Sequence, residues 1–550
     1  MKSKDLSLAA GTTLAERFAV DYASVSNFYA YDPADPVSYQ RRLAVLRKTP
    51  SPDRAVLIDA LHSYNNSLGG TTATRRNIDR LRAGNSAAIV TGQQAGVLTG
   101  PLYTIYKTIT AVLLARKCED EFGVPVVPVF WVASEDHDYY EINHINIYNG
   151  RGGITRLQLP YTPDGKQSVG HLPVLPAALS LIEELEQITP DGGFKGEIAA
   201  LLRRTARSAG NLGEWCSRLM TELFGRYGVV CFDPLEPAGR IALRRFFARA
   251  LRANRSVSET IVQATERLTK HGYKPQLALD ADNANLFLYV GEERLILTRQ
   301  EDGLFRLRDH PEKCYSESDL LALADGSPNH FSPNAALRPI AQDMLFPTLA
   351  YVAGPGEIAY YAQLKDVYPL FDREMPIIYP RLSLTLVESD DAAVFSRLGL
   401  DPAAVLQTGP AALYSYLERV DPVGIDRVFD ALENDFSSAY TDLADTLTTL
   451  NPNLRQLSEG NLGRILYQVN YLRRKAKQRL RQNNRPAIRA FENALAKLMP
   501  NGQKQERIFN ICPYLFRYGP GFIDMLTEHI NLDSFAPKML ILEDEEDGNC

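Results

Sequence analysis

The sequence predicts an α/β core carrying β-rich insertions and followed by a long helical arm. Three observations carry this reading. Short continuous apolar runs at 87–90, 126–133, 229–233, 349–353 and 376–380 alternate with helical stretches, the pattern of strands buried on both faces. Residues 273–308 instead alternate apolar and polar (NLFLYV, RLILTR, LFRLRD), the period of antiparallel strands. Beyond about residue 387, Ile425, Val428, Leu432, Phe436, Ala439, Leu443, Leu447 and Leu450 step by three and four, a long amphipathic helix with a narrow apolar seam.

Along the chain, helices are expected at 39–47, 54–67 and 74–83. Strand 87–90 runs into a Gly-rich turn and then a helix, with Thr99 or Gly100 as its cap and Pro101 as its first residue. Strand 126–133 ends on Glu135-Asp136-His137-Asp138. From 150 to 174, glycines and prolines separate strand-like pieces (ITRLQLPY, VGHLPV), a β insertion, with helices after it at 178–188 and 196–224. Strand 229–233 precedes a helix through 251, and 273–308 forms the second insertion. The core resumes with strand 349–353, helix 356–371 and strand 376–380. In the arm, Asn451-Pro452 breaks the first helix, and a second follows from about 462 to 498, kinked or interrupted at Pro486. Together they form an antiparallel hairpin whose exposed seam suits a dimer. The aromatic segment 508–523 is expected to pack back on the body, and 543–547 to be a solvated acidic tail. The division is 1–85 helical, 86–386 core with insertions near 150–225 and 240–330, 387–507 arm, and 508–550 return segment and tail.

Length and composition bound the function. The 550 residues are 45% apolar, enough for several cores, and the net charge of −6 gives no basic bias toward nucleic acid. The basic run 473–485 lacks interleaved aromatics and reads as the solvated face of a helix. No apolar run reaches the ~20 residues of a membrane span, and the first residues carry no signal-type apolar core. The six cysteines, Cys118, Cys216, Cys231, Cys314, Cys512 and Cys550, form no CxxC. Reduced thiols and a cytoplasmic location are therefore expected.

Chemistry is expected where strands meet helices, because open α/β sheets bind ligands past the carboxyl ends of their strands. The first such place is Thr91-Gly92-Gln93-Gln94-Ala95-Gly96 with Thr99-Gly100-Pro101. Glycines there allow close backbone approach, and the following helix N-terminus favours an anion. Gln93 and Gln94 offer hydrogen bonds, and Tyr103 and Lys107 lie within reach. The bland alternative is a tight turn that packs helix on sheet. The second place is Glu135-Asp136-His137-Asp138, costly to bury without a task. Close carboxylates raise one another's pKa, which suits a general base. His137, Glu141 and His144 would share a helix face as a metal site, although the spacing is not HExxH. A solvated loop is the alternative to both. The third place is Gly354-Pro355-Gly356-Glu357, where simple helix capping competes with a ligand role. Converging on one cleft, the three strengthen the functional reading.

Four stretches, TGQQAGVLTGPLYTIYK, PVFWVASEDHDYYEINH, VAGPGEIAYYAQL and PYLFRYGPGF, resemble the bacillithiol-biosynthesis cysteine-adding enzyme family, over essentially the whole chain. The resemblance implies a Rossmann-type core similar to class I aminoacyl-tRNA synthetases, with two connecting insertions, and a coiled-coil arm that makes a homodimer. It implies a ligase that adds cysteine to glucosaminyl-malate. The synthetase signatures HIGH and KMSKS are absent, so no ATP site carries over residue by residue. It also implies an adenine nucleotide held outside the main cleft, with Tyr514, Arg517 and Tyr518 as its candidate residues. On this reading Thr91, Gly92, Gln93, Gln94, Thr99, Gly100, Tyr103, Glu135, Gly354, Gly356 and Glu357 bind substrate. Lys107 neutralises developing charge, Asp136 or Asp138 takes the amine proton, and His137 positions or relays it. Two rivals stand beside it: a metal-dependent hydrolase or transferase using His137, Glu141 and His144, and a non-catalytic coiled-coil dimer that binds a nucleotide.

Overall fold

A computed structural model describes residues 2–6, 11–49, 54–150, 153–163, 165–277 and 282–543. Cys550 and all of the 543–547 acidic run except Glu543 lie outside the described residues. The chain forms two compact units. The first comprises Met1–Gly150, Ile154–Thr385 and Glu506–Leu540, the second Arg151–Gly153, Leu386–Gln505 and Ile541–Cys550.

The first unit is built on a five-stranded sheet of β1 (Ala87–Gln94), β2 (Val126–Ala133), β3 (Val230–Phe232), β4 (Thr348–Ala353) and β5 (Ile377–Pro380), in the order β5-β4-β1-β2-β3. All its ladders are parallel. The chain winds outward from β1 through β2 and β3, then returns to the other side of β1 for β4 and β5. The switch point between β1 and β4 is where such a sheet opens a ligand crevice. Every residue of β2 is buried, which is why it reads as one apolar run. β1 is longer than its apolar run, because its ladder with β2 continues from Ala87–Val126 through Gln94–Ala133. The TGQQ motif is therefore strand, not turn. Gly92 is required there, since a Cβ would lie 2.8 Å from the Trp131 carbonyl oxygen on β2.

Helix α1 (Leu102–Phe122) follows, buried along most of its length and closed by Gly123 in the left-handed conformation (φ 64°). Pro101 is itself the N-cap, at ψ 158° and without a side-chain cap bond, in place of Thr99 or Gly100. The expected helix at 54–67 is found as Arg54–Ser67. Its Leu57, Ile58 and Leu61 join Trp131, Val230 and Phe232 in the main core, each worth ~1.5–3 kcal/mol on burial.

Other expectations need correction. The helix read at 196–224 is two, Lys195–Ser208 and Leu212–Phe224, because Asn211 caps the second by accepting the Glu214 N–H at 2.8 Å. The helix read as ending at 251 runs on as Arg244–Lys270. Helix 356–371 stops at Tyr361, and Tyr368–Phe371 is a 3₁₀ turn. In the first insertion His144–Tyr148 pairs with Ile154–Gln158 as a hairpin, but Val169–His171 is a 3₁₀ turn. The second insertion is a five-stranded antiparallel sheet containing Asn283–Val290, Glu293–Arg299 and Phe305–Leu307, with His310–Tyr315 and Phe331–Pro333 at its edges.

In the second unit, helix Ile425–Thr448 lies antiparallel to Asn453–Asn483, as ion pairs Lys477–Asp426 (2.6 Å) and Arg473–Asp430 (2.7 Å) and the pair Arg455–Asp445 require. The second helix starts at 453 rather than 462, because residues 453–461 carry too few apolar side chains to show its period. Pro486 marks a full break: a new helix, Arg485–Leu498, begins there. The basic run is not wholly solvated, since Arg473 and Lys477 reach acids on the facing helix.

Candidate functional site

At the switch point lies a cleft of about 450 Å³. The end of β1 contributes Gly92, Gln93 and Gln94, and β2 contributes Trp131, Ala133 and, just past its end, Asp136. The turn after β4 and its helix α2 (Pro355–Tyr361) contribute Gly354, Gly356, Glu357 and Tyr360, and Arg381 follows β5 directly. Tyr103, Lys107, Gln276, Arg338, Gln342, Tyr351 and Arg507 complete the polar lining. A Cβ at Gly356 would meet nothing within 4 Å, so its absence leaves open space along the cleft. Trp131 Nε1 and Gln342 Nε2 are buried donors without partners, a signal of a ligand surface in a native fold.

Lys107 sits in the floor, its side chain 4% exposed. Its ammonium donates to the Gly92 carbonyl at 2.8 Å and Gln93 Oε1 at 3.1 Å, and lies 2.5 Å from Glu357 Oε2. An ammonium has three donors, and all three are engaged. Burial pulls the Lys107 pKa down while Glu357 pushes it back up, with a net lowering. Burial alone would raise the Glu357 pKa, yet Lys107, the Gly354 N–H (2.7 Å) and the Tyr351 hydroxyl (2.7 Å) outweigh it and keep the carboxylate ionised. The pair is a strut between α1 and α2, tied to the end of β1 through the Gly92 carbonyl. It leaves Lys107 no donor for the developing charge assigned to it from sequence.

Three further cations line the cleft, of which Arg381 is paired. Arg381 forms a two-pronged pair with Glu506 (3.0 and 2.8 Å) and lies 5.6 Å over the Tyr103 ring. Arg338 bonds the Tyr360 hydroxyl at 3.3 Å. Among the described residues, neither Arg338 nor Arg507 is ion-paired to a carboxylate. The cleft thus holds an excess of positive charge.

The acidic cluster is divided by the structure. Asp136 alone of the four lines the cleft, accepting from Gln94 Nε2 at 2.7 Å and from the His137 N–H at 2.8 Å. Burial works to raise its pKa, but the Gln94 bond and the guanidiniums of Arg294 and Arg338 prevail and lower it. The raised carboxylate pKa expected from sequence is not found, because the neighbouring acids point elsewhere. Glu135 is buried against Arg240, and Asp138 is exposed before the one-turn helix Tyr139–Ile142. His137 packs its ring on Phe287 and accepts from Arg294 at Nδ1 (3.3 Å), outside the cleft lining. Burial and then Arg294 lower its pKa, so the ring is neutral.

The helix expected to align His137, Glu141 and His144 spans only Tyr139–Ile142, and His144 opens a strand. No group of three or more His, Cys, Asp or Glu that could hold a metal occurs among the described residues. Thr91 is buried and ties β1 to β4 through the Val352 carbonyl at 3.1 Å. Thr99 and Gly100 line a smaller adjoining chamber instead of the cleft. The helix N-terminus expected to favour an anion has little to offer one: Pro101 carries no N–H, and those of Leu102 and Thr104 bond the carbonyls of Phe509 and Pro101. Tyr514, Arg517 and Tyr518 line neither cavity. Both tyrosine rings stack on Phe522, at 5.7 and 5.2 Å.

Sequence reasoning missed Arg338, Arg381, Gln342 and Arg507. Arg381 carried a usable signal, as the first residue after a predicted strand.

The N-terminal Rossmann-like domain of bacillithiol biosynthesis BshC matches residues 1–382, and its C-terminal coiled-coil domain matches 384–543. A protein of Desulforamulus reducens named "Putative cysteine ligase BshC" is 35% identical over 95% of this chain and 96% of its own length. One of the same name from Symbiobacterium thermophilum is 38% identical over 93% and 94%. A crystal structure from Campylobacter jejuni, described as a "putative arginyl t-RNA synthetase", aligns over 84% of this chain and 100% of its own at 10% identity. Its TM-score of 0.24 carries no argument about fold.

Proposed function

The chain belongs to the bacillithiol biosynthesis BshC family, and from that premise we propose that it is a cysteine ligase that joins an activated cysteine carboxyl to the amine of glucosaminyl-malate. The observation that carries the reading is the cleft at the β1/β4 switch point. It combines the ionised carboxylate of Asp136 with two guanidiniums, Arg338 and Arg507, that form no ion pair with a carboxylate among the described residues. Its positive excess suits an acceptor bearing the carboxylates of malate.

Amide formation in water needs an activated carboxyl. An adenine nucleotide is the activator we infer; when bound, it would supply the leaving group on the cysteine carboxyl. Arg338 and Arg507 fit the anionic oxygens of such a group, and the orphan donors of Trp131 and Gln342 fit its polar atoms. Asp136 holds the acceptor amine. With its lowered pKa it is a weak base, so its main effect is to stabilise the positive charge that appears on nitrogen as the amine attacks. The proton then passes by way of Asp136 to solvent. Lys107 on α1 and Glu357 on α2 hold those helices and the end of β1 in register around the reacting groups. The arm, with Leu432, Leu443, Leu450, Leu457 and Leu472 exposed, is the surface through which we infer a homodimer forms.

The test is a reaction of purified protein with cysteine, glucosaminyl-malate and ATP, read by mass spectrometry. A new thiol amide with AMP supports an acyl-adenylate route, and the amide with ADP an acyl-phosphate route. No amide from folded protein that binds both substrates would sink the ligase reading.

A further inference from the structure

Beside the cleft lies a second chamber of about 170 Å³, bordering it at Gln93, Gln94, Tyr103 and Arg507. Its walls are the turn between β1 and α1, the first residues of α1, and the strand that opens at His144. Two of its hydroxyls, Thr99 Oγ1 and Thr104 Oγ1, are buried with no hydrogen-bond partner, on residues 2% and 0% exposed. A buried hydroxyl left unpaired is destabilising, and two lining one small cavity call for a polar occupant.

The turn that presents Thr99 is held against its own preference. Leu98 and Thr99 have φ of 48° and 71°, a left-handed conformation that strains a non-glycine residue. Asn510, arriving from the return segment, holds it by donating to the Leu98 carbonyl at 2.8 Å and the Gly100 carbonyl at 2.6 Å. Two opposite charges complete the chamber: Glu141, whose carboxylate lies 3.5 Å from Gln94 Nε2, and Arg507, which faces both cavities.

We propose that this chamber is the amino-acid subsite of the ligase. A small L-α-amino acid sits with its side chain between the Thr99 and Thr104 hydroxyls and its ammonium against Glu141. Its carboxylate lies at Arg507, on the boundary with the cleft. A thiol is a weak donor and acceptor and meets both hydroxyls. The carboxyl to be activated then faces the larger cavity, which is left to the sugar acceptor and the activator. The smaller chamber takes the smaller substrate. This inference rests on the ligase reading for the identity of the amino acid, but not for its chemical class.

The experiment is calorimetric titration of L-cysteine, L-serine and L-alanine into the full-length protein and its Thr104→Val, Thr104→Ser and Glu141→Gln variants, with and without a non-hydrolysable ATP analogue. Their unfolding temperatures are checked first, and the KM for cysteine is measured alongside. The expected result is at least a tenfold loss of cysteine affinity in Thr104→Val and Glu141→Gln, near-normal binding in Thr104→Ser, and an unchanged KM for the acceptor. Unchanged cysteine affinity in folded Thr104→Val and Glu141→Gln overturns the subsite and leaves the ligase reading intact. Chamber-dependent amino-acid binding without any amide product supports the subsite and sinks the ligase reading. A wild-type protein that makes the amide but binds none of the three amino acids in either state overturns the subsite.

Discussion

Replacing Glu357 by Gln removes the only carboxylate within ion-pair distance of Lys107 among the described residues. The lysine is 4% exposed and its partner 17%, so the remaining charge stays buried. Breaking a buried pair from one side costs about 3–5 kcal/mol. Glutamine keeps one oxygen for the Gly354 N–H or the Tyr351 hydroxyl, which places the cost near the low end, about 3 kcal/mol. At about 2 °C per kcal/mol for a large domain, the expected drop in Tm is roughly 6 °C. Removing both charges, as Lys107→Met with Glu357→Gln, should recover most of it, because a buried pair replaced by neutral groups is often close to neutral. The pH dependence has a definite sign. Burial lowers the Lys107 pKa against the pull of Glu357, and losing Glu357 lowers it further. Between that value and the ordinary lysine value the unfolded chain binds more protons than the folded one. Stability of Glu357→Gln therefore rises with pH through that window, and the double variant shows no such rise. Scanning calorimetry at pH 7 and 9 reads both effects, and steady-state kinetics reads the third. A strut predicts that the double variant keeps kcat within about tenfold, whereas a charge acting on the transition state would cost about 10²–10³. Recovered stability with a hundredfold loss of kcat would refute the strut, and equal, uncoupled losses of stability would refute the pairing.

Asp136→Asn should lower kcat by about 100-fold with Tm nearly unchanged, whereas His137→Gln, whose ring lies on Phe287 outside the cleft lining, should lose less than about tenfold; steady-state kinetics of the pair checks the division of the acidic cluster. Arg338→Met should raise the KM for the anionic acceptor about 10- to 100-fold, and Arg507→Met the KM for cysteine by a similar factor, each the equivalent of a charge-assisted hydrogen bond of ~1.5–3 kcal/mol, and the wild-type KM for the acceptor should rise with salt. Asp233, buried beside Ser134, has its carboxyl pushed up from 3.8 to about 6 by burial. The folded state holds that proton after the unfolded chain has lost it, so stability falls as pH rises from 3.8 to about 6. Asp233→Asn should then raise Tm at pH 7.5, by up to about 3 kcal/mol of stability at ~1.4 kcal/mol per pKa unit, and by much less at pH 4.5; a scan at both values checks it.

The parts of the fold legible in the sequence are those whose burial is uniform along the chain. β2 is buried on every residue, and its bounds read directly as an apolar run. β1 lies one place further in, between β4 and β2, but ends in Thr91-Gly92-Gln93-Gln94. A ladder on one side, here with β2, can carry polar residues to the end of a strand, and hydropathy does not register the ladder. The same limit misplaced the supposed metal face: a helical period read across His137–His144 assumes two turns of helix where the chain makes one.

Within the site, local reading located the strand ends but not the directions of their side chains. Glu135 and Asp136 are adjacent in a turn, yet one is sealed against Arg240 and the other opens on the cleft beside Arg338. Whether neighbouring carboxylates raise or lower each other's pKa depends on that separation, and here the arginines decide it. Those arginines come from far along the chain, and this follows from the architecture. The turns after β1, β2 and β4 approach the ligand with backbone and with polar or acidic side chains, so they leave room but supply no cation. The long cationic side chains reach in from elsewhere: Arg338 from the helix before β4, Arg381 from the end of β5, and Arg507 from the segment that returns after the arm. A cleft built this way is complete only when the last of those segments is in place. Asn510 and Arg507 arrive on the same one, so the segment that holds the strained turn beneath Thr99 also delivers the cation shared by the two cavities.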